Sequence, residues 1–158
     1  MWALGSFVLF FIFFGFSIED DPVVEKSSIS TDGKTQTEST REEELEETVN
    51  SIIDKNYSHT TVSEIEVNEN LGLNDGSYIV LPYLKWDAMN NAKRTKNLIE
   101  MYSEDLAANL AKEDDISEIT VFWEVPYHLE GKNIAKFTYT RKGENMIIGE
   151  RWYDPSLR

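Results

Sequence analysis

Apolar residues along this chain fall into three patterns, and each predicts a different kind of element. From Trp2 to Ile18 there is no charge, and phenylalanine recurs at Phe7, Phe10, Phe11, Phe13, Phe14 and Phe16. A helix built from this run is apolar all round, which suits lipid rather than the surface of a globular core. From Leu45 through Val49, Ile52 and Ile53 the spacing changes to that of an amphipathic helix. This helix is expected to start at Thr40, where Thr40 and Glu43 have the form of a capping box, and to stop near Asn56.

Beyond Thr60 the period shortens to two. TTVSEIEVN places Ile65 and Val67 on one face, NENLGLNDGS supplies turn residues, and SYIVLPYLKW follows as a second strand. The two make a hairpin, and Pro82 predicts that the second lies at an edge or a bulge. The period then lengthens again from about Asn90 to Lys112, where Ala92, Thr95, Ile99, Tyr102, Leu106 and Leu110 form a stripe that Leu98, Met101 and Ala107 widen. ISEITVFWEVP, NIAKFTYTR and NMIIGERWY finish the chain as strands, the last two joined at Gly143. The expected fold is α+β: an antiparallel sheet of about five strands packed by one long and one short helix, in the order α-β-β-α-β-β-β. Three parts follow: 1–18 as a signal peptide or membrane anchor, 19–40 as an acidic Ser/Thr-rich linker, and 41–158 as the α+β domain.

The first part admits two readings. Seventeen helical residues reach about 25 Å, slightly less than the ~30 Å hydrocarbon core of a bilayer. The apolar centre Phe7–Phe14, followed by Gly15, Phe16 and Ser17, equally fits an export signal with a small-x-small cleavage site, although no Lys or Arg precedes it. With either a retained anchor or a cleaved signal the remaining chain is most simply exported, membrane-anchored or secreted, with a cytoplasmic orientation as the lesser alternative. The absence of cysteine removes any disulfide framework, thiol nucleophile or thiolate metal site, and suits a bacterial surface better than a eukaryotic secretory product.

The net charge of −14 sits mostly in one place, because residues 19–47 carry eleven acidic residues against three basic ones. Such a segment repels nucleic acid, which is therefore not an expected partner.

Candidate chemistry is sparse. Glu124 lies in an apolar strand, and His128 occupies the connection PYHLEGK two residues before Glu130; they are the weak catalytic candidates. His59 and Asp87 read as loop and capping residues. No metal or cofactor is expected, because no third or fourth ligand accompanies His128 and Glu130. The loop NENLGLNDG departs from the calcium-loop order and reads as a turn. Two surfaces look like binding sites. Lys93, Arg94 and Lys96 crowd the opening turn of the long helix, where cations are unfavourable unless an anion or nearby glutamates answer them. Tyr139, Arg141, Arg151, Trp152 and Tyr153 combine aromatics with cations in the C-terminal third, which suits a partner protein, peptide or glycan.

At VFWEVPYHLEGKNIAKFTYTR, GERWYDPSLR and LIEMYSEDLAANLA, within residues 78–158, the chain resembles small uncharacterised exported or lipid-anchored proteins of Gram-positive bacteria and their mobile elements. The lipobox cysteine that such proteins carry is missing here, and the resemblance implies no activity. The resulting expectation is an extracytoplasmic, non-catalytic binding module at the bacterial envelope, tethered to the membrane through residues 2–18 if these are retained. The alternatives are a small envelope-directed hydrolase using Glu124 or His128, and an inhibitor or immunity-type protein.

Overall fold

A computed structural model describes residues 33–157. The apolar run and most of the acidic linker lie outside the described residues. Among the described residues no helix is long and apolar enough to cross a membrane.

Helix α1 spans Gly33–Asn56, with Leu45, Val49 and Ile53 buried as their spacing predicts. It starts earlier than the capping-box pattern suggests, so Thr40 lies inside it. Strands β1 (Thr60–Glu69) and β2 (Tyr78–Trp86) pair as an antiparallel hairpin. Helix α2 (Ala92–Leu110) follows, then β3 (Ile116–Glu124), a single turn α3 (Pro126–Leu129), and the hairpin of β4 (Asn133–Lys142) with β5 (Asn145–Tyr153). Gly143 supplies the positive φ of 63° that this tight turn requires. The chain closes with a 3-10 turn at Pro155–Leu157, which buries Leu157.

The α+β class and the order of the main elements agree with the sequence pattern, but several details do not. The five strands lie in the order β1-β2-β3-β4-β5, and β2 pairs with β3 in parallel, so the sheet is mixed rather than antiparallel. The cause is a match of lengths. Nineteen helical residues run about 28 Å and nine strand residues about 30 Å, so α2 carries the chain back along β2 and releases it at the end where β2 began. The second correction concerns the helix expected to be short: α1 has 24 residues and is the longer of the two.

Of the two expectations for Pro82 the edge fails, since β2 is flanked by β1 and β3. The parallel register runs from Val80 opposite Ile119 and resumes at Tyr83 opposite Phe122, and the missing N–H of Pro82 falls in that interruption. The true edges, β1 and β5, each carry a register break, between Val62 and Glu64 and opposite Thr138/Tyr139. Such breaks twist an edge away from uncontrolled pairing.

One sheet face carries Val80, Leu84, Trp86, Ile119, Val121, Trp123, Phe137 and Tyr139, all buried. Helix α2 packs there, and the contact explains a residue outside the predicted stripe. Ser103 is fully buried because its hydroxyl accepts from the Trp123 indole at 2.8 Å and donates to the Ile99 carbonyl at 2.7 Å. Met101, which the stripe includes, is instead exposed. The opposite sheet face is half-buried, with Tyr83 and Phe122 stacked at 4.6 Å.

Candidate functional site

The connection between β1 and β2 is an eight-residue loop whose shape is set by one side chain. Asn70 Oδ1 accepts from the backbone N–H groups of Gly72 and Leu73 at 3.1 and 3.3 Å, while its Nδ2 donates to Ser117 Oγ at 3.0 Å. Ser117 in turn donates to the Tyr78 carbonyl, so the loop is tied both to itself and to β3. Asparagine suits this role because its short amide can accept from the backbone two and three residues on. The return of the chain uses Asn74 and Gly76 at φ 52° and 78°, and Asp75 Oδ1 accepts from the Ser77 N–H at 3.0 Å. The consequence is that Leu71 and Leu73, 77% and 58% exposed, are held out to water on a hydrogen-bonded frame.

Beside this loop lies a cleft of about 700 Å³, formed where it meets the α2–β3 connection and the end of β4. Asn70, Gly72, Leu73, Asp75 and Ser77 contribute from the loop, Asp114, Ile116, Ser117 and Glu118 from the second segment, and Thr140 and Arg141 from β4. The guanidinium of Arg141 is occupied: it donates to the carbonyls of Ala111 and Glu113, at 3.2 and 2.6 Å, and to that of Ile116. It thereby satisfies one acceptor left over at the end of α2 and two more along the connection into β3.

The carboxylates divide sharply. Arg41 of α1 takes Glu113 at 2.8 Å and Asp115 at 2.7 Å, and its hydrogen bonds hold the Asp115 carboxyl below the usual aspartate range. Asp114, between them in sequence, forms no ion pair among the described residues and lines the cleft. Asp75 and Glu118 likewise lack a basic partner among the described residues; Asp75 accepts from the Ser77 N–H, and Glu118 receives a long contact from Thr120. The site can therefore offer apolar contact and negative charge at one place. Among the described residues no three His, Cys, Asp or Glu side chains converge as a metal site.

The residues singled out by sequence lie elsewhere. Glu124, with its side chain 14% exposed, accepts from the Gly131 N–H at 2.8 Å and meets Lys85 at 3.4 Å. His128 sits on α3 against Tyr127, with Nε2 enclosed and without a hydrogen bond. The Tyr127 hydroxyl instead joins Asn90 N–H and Thr95, bracing the start of α2. Asp87 accepts from Thr61, and the N-cap of α2 is Asn91, which accepts from the Arg94 N–H at 2.9 Å.

Of the three cations at that end, Lys93 and Arg94 are exposed and make no ion pair among the described residues, while Lys96 lies 4.0 Å from the centre of the Tyr153 ring. Arg151 pairs with Glu100 and Glu104 of α2 at 2.9 and 3.0 Å, and the Tyr153 hydroxyl donates to Glu100. Tyr139 is buried on the helix-covered face, where desolvation pushes its hydroxyl well above the usual phenol range. Trp152 alternates with Arg151 and Tyr153 and so projects to the opposite side of the sheet, partly exposed. The structure thus gathers Lys96, Arg151 and Tyr153 into a seam between α2 and β5, sends Arg141 to the cleft, and does not form a single patch of the five.

Leu71, Leu73, Asp75, Asp114 and Glu118 were not singled out by sequence reasoning. One signal was present: two leucines inside an otherwise polar turn serve no helix or strand period. The distribution of charge was hidden, because Arg41 and its two carboxylates lie more than seventy positions apart. No protein-family model, curated protein or solved structure matches the chain.

Proposed function

We propose that the protein is an extracytoplasmic interaction module, tethered or secreted at the bacterial envelope, that binds a protein partner through the cleft beside the β1–β2 loop. The apolar run Trp2–Ile18, the acidic segment after it and the lack of cysteine support the location. The single observation that carries the recognition surface is the display of Leu71 and Leu73 on a loop pinned by Asn70. Exposed leucines gain about 2 kcal/mol each when fully covered, and a frame already ordered before contact spares the entropy of ordering it.

The test is photo-cross-linking in intact cells, with a benzophenone amino acid placed at Leu73 and, as control, at Glu47 on the exposed face of α1. A discrete adduct from position 73, absent from position 47 and found in the membrane or secreted fraction, is the expected result. Equal labelling from both positions, no adduct from either, or adducts only in cytosol overturns the reading.

A further inference from the structure

We infer that the occupant of the cleft is a basic segment of the partner protein that carries apolar side chains between its lysines or arginines. This rests on the proposed interaction site and names its chemistry. A partner that covers the loop leucines from the cleft also removes water from Asp75, Asp114 and Glu118, since these three line the cleft together with Leu73. A carboxylate stripped of water without a cation is strongly unfavourable, so a neutral or acidic partner loses on the carboxylates what it gains on the leucines.

The protein supplies only part of that compensation. Arg41 is committed to Glu113 and Asp115, and Arg141, whose donors are turned toward three carbonyls, lines the cleft as one cation against three carboxylates. A basic segment with apolar residues meets both demands at once, and the negative field of the chain favours its approach. The leucines confine it to this cleft, because charge alone would let it settle anywhere along the acidic face of α1.

Full-length protein labelled with nitrogen-15, held in detergent micelles, is titrated with a hexapeptide of alternating lysine and leucine while its amide signals are followed. Two control peptides replace lysine by glutamate or leucine by glycine. The expected result is that the lysine–leucine peptide shifts amides in 70–77 and 114–118, and that each control binds at least tenfold more weakly. Charge reversal at the cleft, Asp114→Lys with Glu118→Lys, weakens binding at least tenfold; the same reversal on α1, Glu43→Lys with Glu47→Lys, changes it less than twofold. Glu118 is half-buried and the other three are exposed, and unchanged circular dichroism confirms the fold.

Shifts spread along α1, a glycine control that binds equally well, a glutamate control that binds equally well, or no shift with any peptide overturns the inference. The proposed function fails separately: a persisting adduct from position 73 alongside a negative titration shows a used site with a partner of different chemistry.

Discussion

The two sides of the α2–β3 connection are made of the same kinds of residue and are used in opposite ways. On one side Arg41 binds Glu113 and Asp115, and Arg141, reaching in from the cleft wall, binds the carbonyls of Ala111, Glu113 and Ile116, so charges and backbone acceptors are answered from within the fold. On the other side Asp114 and Glu118 face a cleft with Asp75, have no basic partner among the described residues, and stand beside two exposed leucines. The difference lies in what would compensate the charge. A side whose polar groups are matched internally contributes to stability, and a side whose groups stay solvated contributes to recognition.

Substitutions on the two sides should therefore separate stability from binding. The largest effect belongs to Arg141→Ala, which strips the donors from three carbonyls at the end of α2 and the start of β3. It should cost about 3 kcal/mol in urea unfolding, because hydrogen bonds to charged groups are individually strong and their loss leaves acceptors poorly satisfied. An unchanged midpoint would remove Arg141 from the structural side of the comparison.

Arg41→Ala should cost about 1 kcal/mol at neutral pH, since its ion pairs are only partly shielded from water. The sign of its pH dependence follows from Asp115, whose carboxyl is held low in the folded protein. That contribution is complete above the ordinary aspartate value of about 4 and fades as pH falls through the depressed folded value. The difference between wild type and Arg41→Ala should accordingly shrink as unfolding is measured from pH 7 down to about pH 2.5. A constant difference would mean that Asp115 does not mediate it.

The smallest change in stability is expected from Leu71→Ser combined with Leu73→Ser, within about 0.5 kcal/mol, because both side chains are already solvated. The same double variant should abolish cross-linking from a photoreactive residue placed at Thr140, across the cleft. Retained cross-linking would show that the leucines are bystanders.

The amphipathic stripes of α1 and α2 and the strands were legible because burial imposes a period on the residues that undergo it. Leu45, Val49 and Ile53, and Ile99, Leu106 and Leu110, are buried where that period places them. Ser103 was not legible, since its burial follows from the position of Trp123 on another element. Met101 failed in the complementary way: it is apolar at a helical spacing, yet it lies just beyond the sheet's reach. The candidate catalytic residues were legible as polar residues in unusual places, but whether Glu124 had a partner depended on Lys85 and on the Gly131 N–H.

The sequence by itself determined the apolar stripes of the two main helices and the five strands, their order, the turn at Gly143 and the concentration of charge before residue 48. These are consequences of local preference and of facing one side toward apolar surroundings. The tertiary structure alone decided that β2 and β3 run parallel, that Arg41 neutralises Glu113 and Asp115 but not Asp114, and that Leu73 stands at the lip of a cleft. Those outcomes depend on which distant groups arrive at the same point in space, and periodicity carries no record of a meeting between elements.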